Sequence, residues 1–338
     1  MNHLYRFRYV VPCSALLLLV TSVQNLAGVR SALAEEPSFP RVGTHGHIGC
    51  GPSAKQVQRL VIDRPGVYEN FMVDGQWSDS TLVKITADDV TLRNCEIRNG
   101  RHNAVTVYAK NVVIESCKIH HVLAGSFDSQ RDAHGITGRP TNLTIRNCDV
   151  GWVSGDCVQF DPGRGPWNNV LIEHCTLWTG PLAEDAADFR RGERPGENAV
   201  DTKQRVSNPR SQMTIRSCLM YGWNQPAQLS NASALNLKNH VAVEVEQCLF
   251  RNNEICFRVR GGSGEYGSSN VKIRDCRIYD SGVAVRAEDG IENLKISKIG
   301  IGQCVKRPFH HVGGLGPGFE NVGQYTPPPM PEFTTDRD

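Results

Sequence analysis

Val90-Thr-Leu-Arg-Asn-Cys95-Glu-Ile97 is echoed by Val112-Val-Ile-Glu-Ser-Cys117-Lys-Ile119 and Leu143-Thr-Ile-Arg-Asn-Cys148-Asp-Val150. The pattern continues through Val170-Leu-Ile-Glu-His-Cys175-Thr-Leu177, Met213-Thr-Ile-Arg-Ser-Cys218-Leu-Met220, Val243-Glu-Val-Glu-Gln-Cys248-Leu-Phe250 and Val271-Lys-Ile-Arg-Asp-Cys276-Arg-Ile278. Leu294-Lys-Ile-Ser is a last, degraded copy. Each copy alternates apolar and polar residues, breaks at a polar pair and resumes with Cys-x-apolar. This is the pattern of two short strands joined by a tight turn.

Between copies runs a third alternating segment. Its instances are Ala104–Tyr108, Gly135–Arg139, Cys157–Asp161, Ala199–Lys203, Ala234–Lys238, Cys256–Arg260 and Ala284–Glu288. The tightest period, Cys95 to Cys117, is 22 residues. Three strands in that length describe an all-β, single-stranded parallel β-helix of about 8–10 rungs, each burying its apolar side by stacking on its neighbours. A β-sandwich also has many short strands, but it does not return a Cys to one place in every repeat. The seven cysteines of this repeat, Cys95, Cys117, Cys148, Cys175, Cys218, Cys248 and Cys276, are therefore expected to stack inward as small hydrophobes, mostly as free thiols. Their spacing lacks the clustered pairs of a zinc site. Cys157 with Cys256, and Cys50 with Cys304, are the candidate disulfides.

The chain has 338 residues, and its first 34 read as a secretory signal. Arg6 and Arg8 precede an apolar run, Val10 to Val20, and Ala32-Leu33-Ala34 supplies a small-residue cleavage site. The run is too short to span a bilayer, which takes roughly 20 residues. The expected location is secreted or periplasmic. The segment holds three arginines and no acid, so its loss takes the net charge from +2 to −1. A near-neutral mature chain is not a bulk electrostatic binder of nucleic acid, and no membrane partner is expected. The organisation predicted is a signal at 1–34, a cap at 35–60, the helix domain at 61–305 and a Pro/Gly-rich tail at 306–338. Ser53 to Asp63 is read as a short helix or strand closing the open end of the solenoid. A monomer is expected.

Insertions mark the face that is used. Connections before the third segment are long at 120–133, 178–198 and 221–232; those after it are long at 161–169, 203–212 and 260–270. The turns leading into each Cys keep one length. Variable loops on a rigid scaffold usually carry function, so the third strand column is the candidate active face. Its outward residues form two rows. One is Thr106, Thr137, Gln159, Asp201, Asn236, Arg258 and Arg286; the other is Tyr108, Arg139, Asp161, Lys203, Lys238, Arg260 and Glu288. His134, Asp156 and Glu197 enter just before the same strands. In Gly196–Lys203, Val200 and Thr202 are expected inward, with Asp201 and Lys203 on a solvent face. A bland alternative is an outer face laced with salt bridges.

A parallel β-helix offers a long shallow groove suited to an extended polymer. Cleaving an acidic polysaccharide by β-elimination needs positive charge on the uronate carboxylate and a base for the C5 proton. Calcium held by Asp161, Glu197 and Asp201 would supply the first. Lys203 or Lys238 would supply the second if neighbouring cations and desolvation lower its pKa, with Arg258 or Arg260 on the carboxylate. His134, Arg139, Gln159, Asn236 and Trp223 are the candidate substrate contacts. Trp152, Trp167 and Trp178 are further aromatics near the face, and at least half of the four tryptophans are expected to be core.

The stacked Cys-containing rungs over residues 60–300 resemble the right-handed parallel β-helix of pectate lyase-like proteins. Glu197-Asn198-Ala199-Val200-Asp201-Thr202-Lys203 resembles the Glu-x-x-x-x-x-Lys strand of alginate and chondroitin-B lyases. It is also similar to the Glu-Asp-Ala-x-x-x-Lys strand of small secreted pectate lyases, with Asn198 in place of an Asp. The resemblance implies Lys203 as base, Glu197 as a calcium ligand, and Lys238 or Arg258 as the base's partner. Other readings stay open. A polygalacturonase-like hydrolase would use paired carboxylates from Asp156, Asp161 and Asp201, although that family's Gly-His-Gly and Arg-Ile-Lys elements are missing: His134 has Gly135 after it but Ala133 before it. A uronan C5-epimerase needs the same proton abstraction. A non-catalytic carbohydrate-binding or surface protein is the remaining alternative.

Overall fold

The computed structural model describes residues 42–330, apart from 162, 164, 225–231, 262–266, 289–290 and 314–317. The expected signal segment and residues 331–338 of the tail lie outside the described residues. The strands wind into three parallel columns. Val90–Arg93 pairs with Lys110–Glu115 in a first column, and Glu96–Gly100 pairs with Lys118–Val122 in a second. The third column is a separate 10-stranded sheet from Leu60–Ile62 to Arg307–Val312. The first two count as one 19-stranded sheet because Ile291–Ile301 runs unbroken from one column to the other.

Stacking in strict register places like residues over like. Leu92, Ile114, Ile145, Ile172, Ile215, Val245, Ile273 and Ile296 form one inward file, all but inaccessible to solvent. Each such side chain contributes roughly 1.5–3 kcal/mol on burial. The seven column cysteines are also fully buried. Their thiols do more than fill space. Cys117 Sγ donates to the Glu115 carbonyl at 3.3 Å and to Leu92 of the preceding rung at 3.7 Å, and Cys148 does the same to Arg146 and Ile114.

The turn before each Cys explains the break in the repeat. Asn94, Ser116, Asn147, His174, Ser217, Gln247 and Asp275 all adopt left-handed backbone, with φ between 51° and 54°. Small polar side chains tolerate that region better than β-branched ones. Their N–H groups are not wasted: Ser116 N–H donates to the Arg146 carbonyl and Asn147 N–H to Glu173.

The outer face of the first column carries an alternation of charge. Glu69, Arg93, Glu115, Arg146, Glu173, Arg216, Glu246 and Arg274 face one another rung by rung. Arg146 pairs with Glu115 at 2.5 Å and Arg216 with Glu173 at 2.6 Å. Each pair is worth little alone. A slip of one rung would set like charges opposite, so the ladder specifies register more than it adds stability.

Two expectations are corrected. Cys157, Cys256, Cys50 and Cys304 are all free thiols, so neither candidate disulfide forms; the first two are buried in the packed interior. The end of the chain is not merely a tail: Arg307–Val312 pairs with Val283–Glu288, and Gly318–Tyr325 pairs with Ile291–Ile301. The backbone edges of the last rungs draw the following chain into further parallel pairing despite its Gly and Pro content. Of the two forms expected for Ser53 to Asp63, the strand is the one adopted: Lys55–Val57 and Leu60–Ile62 belong to the first rung.

The charge ladder is testable. Glu173→Arg turns two attractive cross-strand contacts repulsive and should lower stability by about 0.5–2 kcal/mol. Adding Arg216→Glu should recover part of that loss, and 1 M salt should shrink it. A loss in urea melts that is equal at low and high salt, with no recovery in the double variant, would contradict the ladder.

Candidate active site

The outward row of the third column is as the alternation predicts. Thr106, Thr137, Gln159, Asp201, Asn236, Arg258 and Arg286 are consecutive partners in register. Its middle, however, is not a solvent face. Asp201 is 2% exposed, and Gln159, Asn236 and Thr106 are buried too. The insertions at 120–133 and 178–198 enclose it. Hairpin Ala124–Ser126 with Ser129–Arg131 leans on the second insertion through Gln130, whose side chain accepts from the Gly196 N–H at 2.9 Å.

Asp201 is the hub. Lys238 Nζ lies 2.9 Å from its Oδ1 and Lys203 Nζ 3.6 Å from its Oδ2. Lys203 also pairs with Asp161 at 3.3 Å. Behind the hub sits Asp156, with no exposed surface. It accepts from Asn198 Nδ2 at 2.7 Å and from Gln159 Nε2 at 3.1 Å; the same Gln159 amide lies 3.4 Å from Asp201. Ser233 Oγ donates to Asn198 Oδ1 at 2.7 Å, which fixes the amide's orientation. Burial, followed by the Asp201 and Glu197 carboxylates, pushes Asp156 far above the usual range.

His134 is seated over this group. Its Nδ1 accepts the Asp156 N–H at 3.0 Å, so in the neutral ring the proton sits on Nε2. Gly155 is required beneath it, since a Cβ there would lie 2.6 Å from the His134 ring. Glu197, half-buried at the end of the insertion, is raised first by burial and then by Asp132 and Asp201. Burial works to lower Lys203, but Asp201 and Asp161 outweigh it and the net shift is upward. The expectation of a lysine with lowered pKa fails because carboxylates surround it where cations were expected.

The calcium set does not assemble. Among the described residues no three His, Cys, Asp and Glu side chains are arranged to hold a metal ion. Both Asp201 oxygens already face ammonium groups, and Asp161 turns to Lys203. Asp161, Glu197 and Asp201 therefore do not fit calcium as a ligand set.

Arg258 and Arg260 belong to a neighbouring cluster. Arg258 Nε lies 2.7 Å, Arg286 Nε 2.9 Å and Arg260 Nε 3.5 Å from the Glu288 carboxylate. Burial alone would raise Glu288, but the three guanidinium groups hold it below its ordinary value. Arg139 stands on the opposite side of the hub, 5.0 Å over the Tyr108 ring. Trp223 is 1% exposed and packs in the core, so it does not stack on a ligand. Its apolar bulk fills the rung behind the insertion. Trp167 and Trp178 are buried as well. Asp132, which shifts both His134 and Glu197, escapes sequence reasoning; its place two residues before His134 on the same insertion is the signal that could have found it.

Comparisons with known proteins agree with this architecture. Residues 80–188 match the family described as a right handed beta helix region. An alginate lyase from Paenibacillus sp. is 12% identical, over 79% of this chain and 88% of that one, with a TM-score of 0.50. A polygalacturonase from Erwinia carotovora ssp. carotovora is 14% identical, over 86% of this chain and 78% of that one, also with a TM-score of 0.50. No curated protein matches the chain. At these identities the likeness is one of fold. The protein is a right-handed parallel β-helix. Among the described residues no helix is long and apolar enough to cross a membrane.

The buried imidazole yields a pH prediction. Burial pulls His134 down to about 4 from 6.5. The unfolded chain takes up this proton below 6.5, whereas the folded protein resists it until about 4. The contribution is therefore complete above 6.5 and is lost as pH falls toward 4. The stability difference between wild type and His134→Gln should shrink over that window. A difference that holds constant from pH 7.5 to 4 would contradict the assignment.

Proposed function

We propose that the protein binds an acidic, uronate-containing polysaccharide along the outer face of the third column and cleaves it by β-elimination. The observation that carries the reading is the buried Asp201 carboxylate held between Lys203 and Lys238, with Arg258, Arg260 and Arg286 in the rungs beside it. A single face so lined presents successive cations to a chain that repeats a carboxylate. Guanidinium groups suit bidentate recognition of carboxylate. Arg139, half-buried, borders the path and can hydrogen-bond sugar hydroxyls, while Gln159, Asn236 and His134 are buried beneath it and hold the charged groups in place.

In the proposed reaction, a cation on the uronate carboxylate stabilises charge that develops when the C5 proton leaves. The Arg258–Arg260 side fills that role. Neutral Lys203 takes the proton, the C4–O bond breaks, and a C4–C5 double bond forms. Lys238 donates a proton to the departing oxygen. Calcium, where a β-helix lyase uses it, would supply the same positive charge at the carboxylate; with no fitting ligand set here, no step is assigned to it. Secretion fits a polymer substrate outside the cell.

One observation favours a second reading. Burial raises Glu197, and the Asp201 carboxylate lies close enough to act on it, so the two supply a pair of carboxyl groups such as hydrolysis uses.

The two readings differ in product and in pH dependence. Incubation with pectate, alginate and chondroitin sulfate should give absorbance of the unsaturated product, and the signal should survive EDTA. Because Asp201 and Asp161 hold the Lys203 proton, the rate should rise about tenfold per pH unit until that lysine titrates. Lys203→Ala should remove activity by about 100-fold or more. Reducing ends without unsaturation, at a rate that falls as rising pH strips the Glu197 proton, would replace elimination by hydrolysis. An active Lys203→Ala protein would remove the base assignment, and binding without products would leave a carbohydrate-binding protein.

A further inference from the structure

We propose that the outer face of the second column holds a separate binding site for an acidic oligosaccharide. The outward row there is Arg98, His120, Gly151, Trp178, Tyr221, Arg251 and Tyr279, each in register with the next. The chain's own ends cover part of this face, where Val42 and Met330 pack on Leu219, Leu249 and Tyr279 and the Tyr279 hydroxyl donates to the Pro328 carbonyl; Trp152, Trp178 and Tyr221 border the part left open. They line one side of an open cavity of about 740 Å³, within the range of small-molecule sites.

The cavity is built around its aromatics. Trp178 lies flat against the sheet at Gly151, where a Cβ would come within 2.3 Å of the indole. Its Nε1 donates to Asp149 Oδ1 at 2.8 Å, locking the ring. Trp152 meets Trp178 edge-on with ring centres 4.7 Å apart, and donates to the Gly180 carbonyl at 3.1 Å. Tyr221 lies nearly parallel to Trp178, with an angle of 11°. Trp152 and Tyr221 are half-buried, so part of each side chain is accessible from the cavity. Rigid aromatic faces are suited to the apolar C–H face of a pyranose ring.

Charge sets the ligand class. Lys118, Arg194 and Arg251 line the cavity, and Asp280 is the one carboxylate among its lining residues. Arg251 sits over the Tyr221 ring at 5.0 Å, which presents its guanidinium at the level of the platform. Asn252 and Thr179 add neutral hydrogen-bonding groups. Cation, ring and amide at one level match a sugar that carries a carboxylate beside an apolar face. Insertion 178–198 separates this cavity from the Asp201 site: Thr179, Pro181 and Arg194 line the cavity, and Glu197 lies on the other side in the field of Asp201 and Lys203. The ligand class follows from this lining and does not rest on the reaction assigned to the third column.

The test uses Lys203→Ala full-length protein, so that no probe is consumed, with hexamers of galacturonate and mannuronate as acidic probes and cellohexaose as the neutral one. Calorimetry with an acidic hexamer should show two sites per chain, and binding should quench tryptophan fluorescence through Trp152 and Trp178. Arg251→Glu should weaken one site tenfold or more and remove the quench; Tyr221→Ala is the second variant. Lys238→Ala with Arg258→Ala should remove the other site and leave the quench intact. In otherwise native protein, Arg251→Glu should leave turnover of short oligomers unchanged. If the third-column site binds nothing and the quench persists, the function proposed for that face fails and this site stands. Undiminished binding and quench in both Arg251→Glu and Tyr221→Ala, no quench with either acidic hexamer, or equal binding of cellohexaose would overturn it.

Discussion

Parallel pairing between rungs about 4.8 Å apart is the interaction on which everything else here depends. Because every strand pairs with its counterpart one turn away, each sequence position becomes a file of side chains. A file is stable only when its neighbours agree. Inward files are apolar from end to end, and the first column's outer file alternates Glu and Arg. The left-handed corners and the thiols that donate to nearby carbonyls keep the turn between the first two columns at one length, so the files do not drift.

The same constraint concentrates charge in the third column. A file there does not alternate neatly: Gln159, Asp201, Asn236 and Arg258 follow one another, and Lys203 is followed by Lys238 and Arg260. Asp201 satisfies two ammonium groups because the scaffold places lysines at the same offset in two rungs. The enclosing insertions remove water from the group. One connected network therefore holds a carboxyl group raised at Asp156, an imidazole lowered at His134 and a lysine raised at Lys203. Such pKa perturbation of adjacent groups in a cleft is a mark of functional sites, although structural ion pairs produce it as well.

The fold was legible because its evidence is periodic. Alternation, a recurring Cys and a short period survive even when loops vary, and the two outward rows of the third column could be written down by counting. The side chains' company could not. Counting placed Asp201 outward but said nothing of the insertions that bury it. It left Arg258, Arg260, Arg286 and Glu288 as separate positions and not as one cluster. Trp223 stood near the face in sequence, yet its ring turns into the core. The Glu–Arg alternation lay in plain view within the repeats, one residue per copy, but it emerges only when copies are read against one another.

The turn that never changes length makes the molecule a ruler. Insertions raise or lower walls, whereas each added or deleted rung changes the length of every outer face by one strand spacing and shifts no residue out of its file. Under the proposed function, the number of polymer units such a face can grip is set by how many times the repeat has been copied. Duplicating a rung of 22 residues would extend the reach of both the cationic face and the aromatic one together.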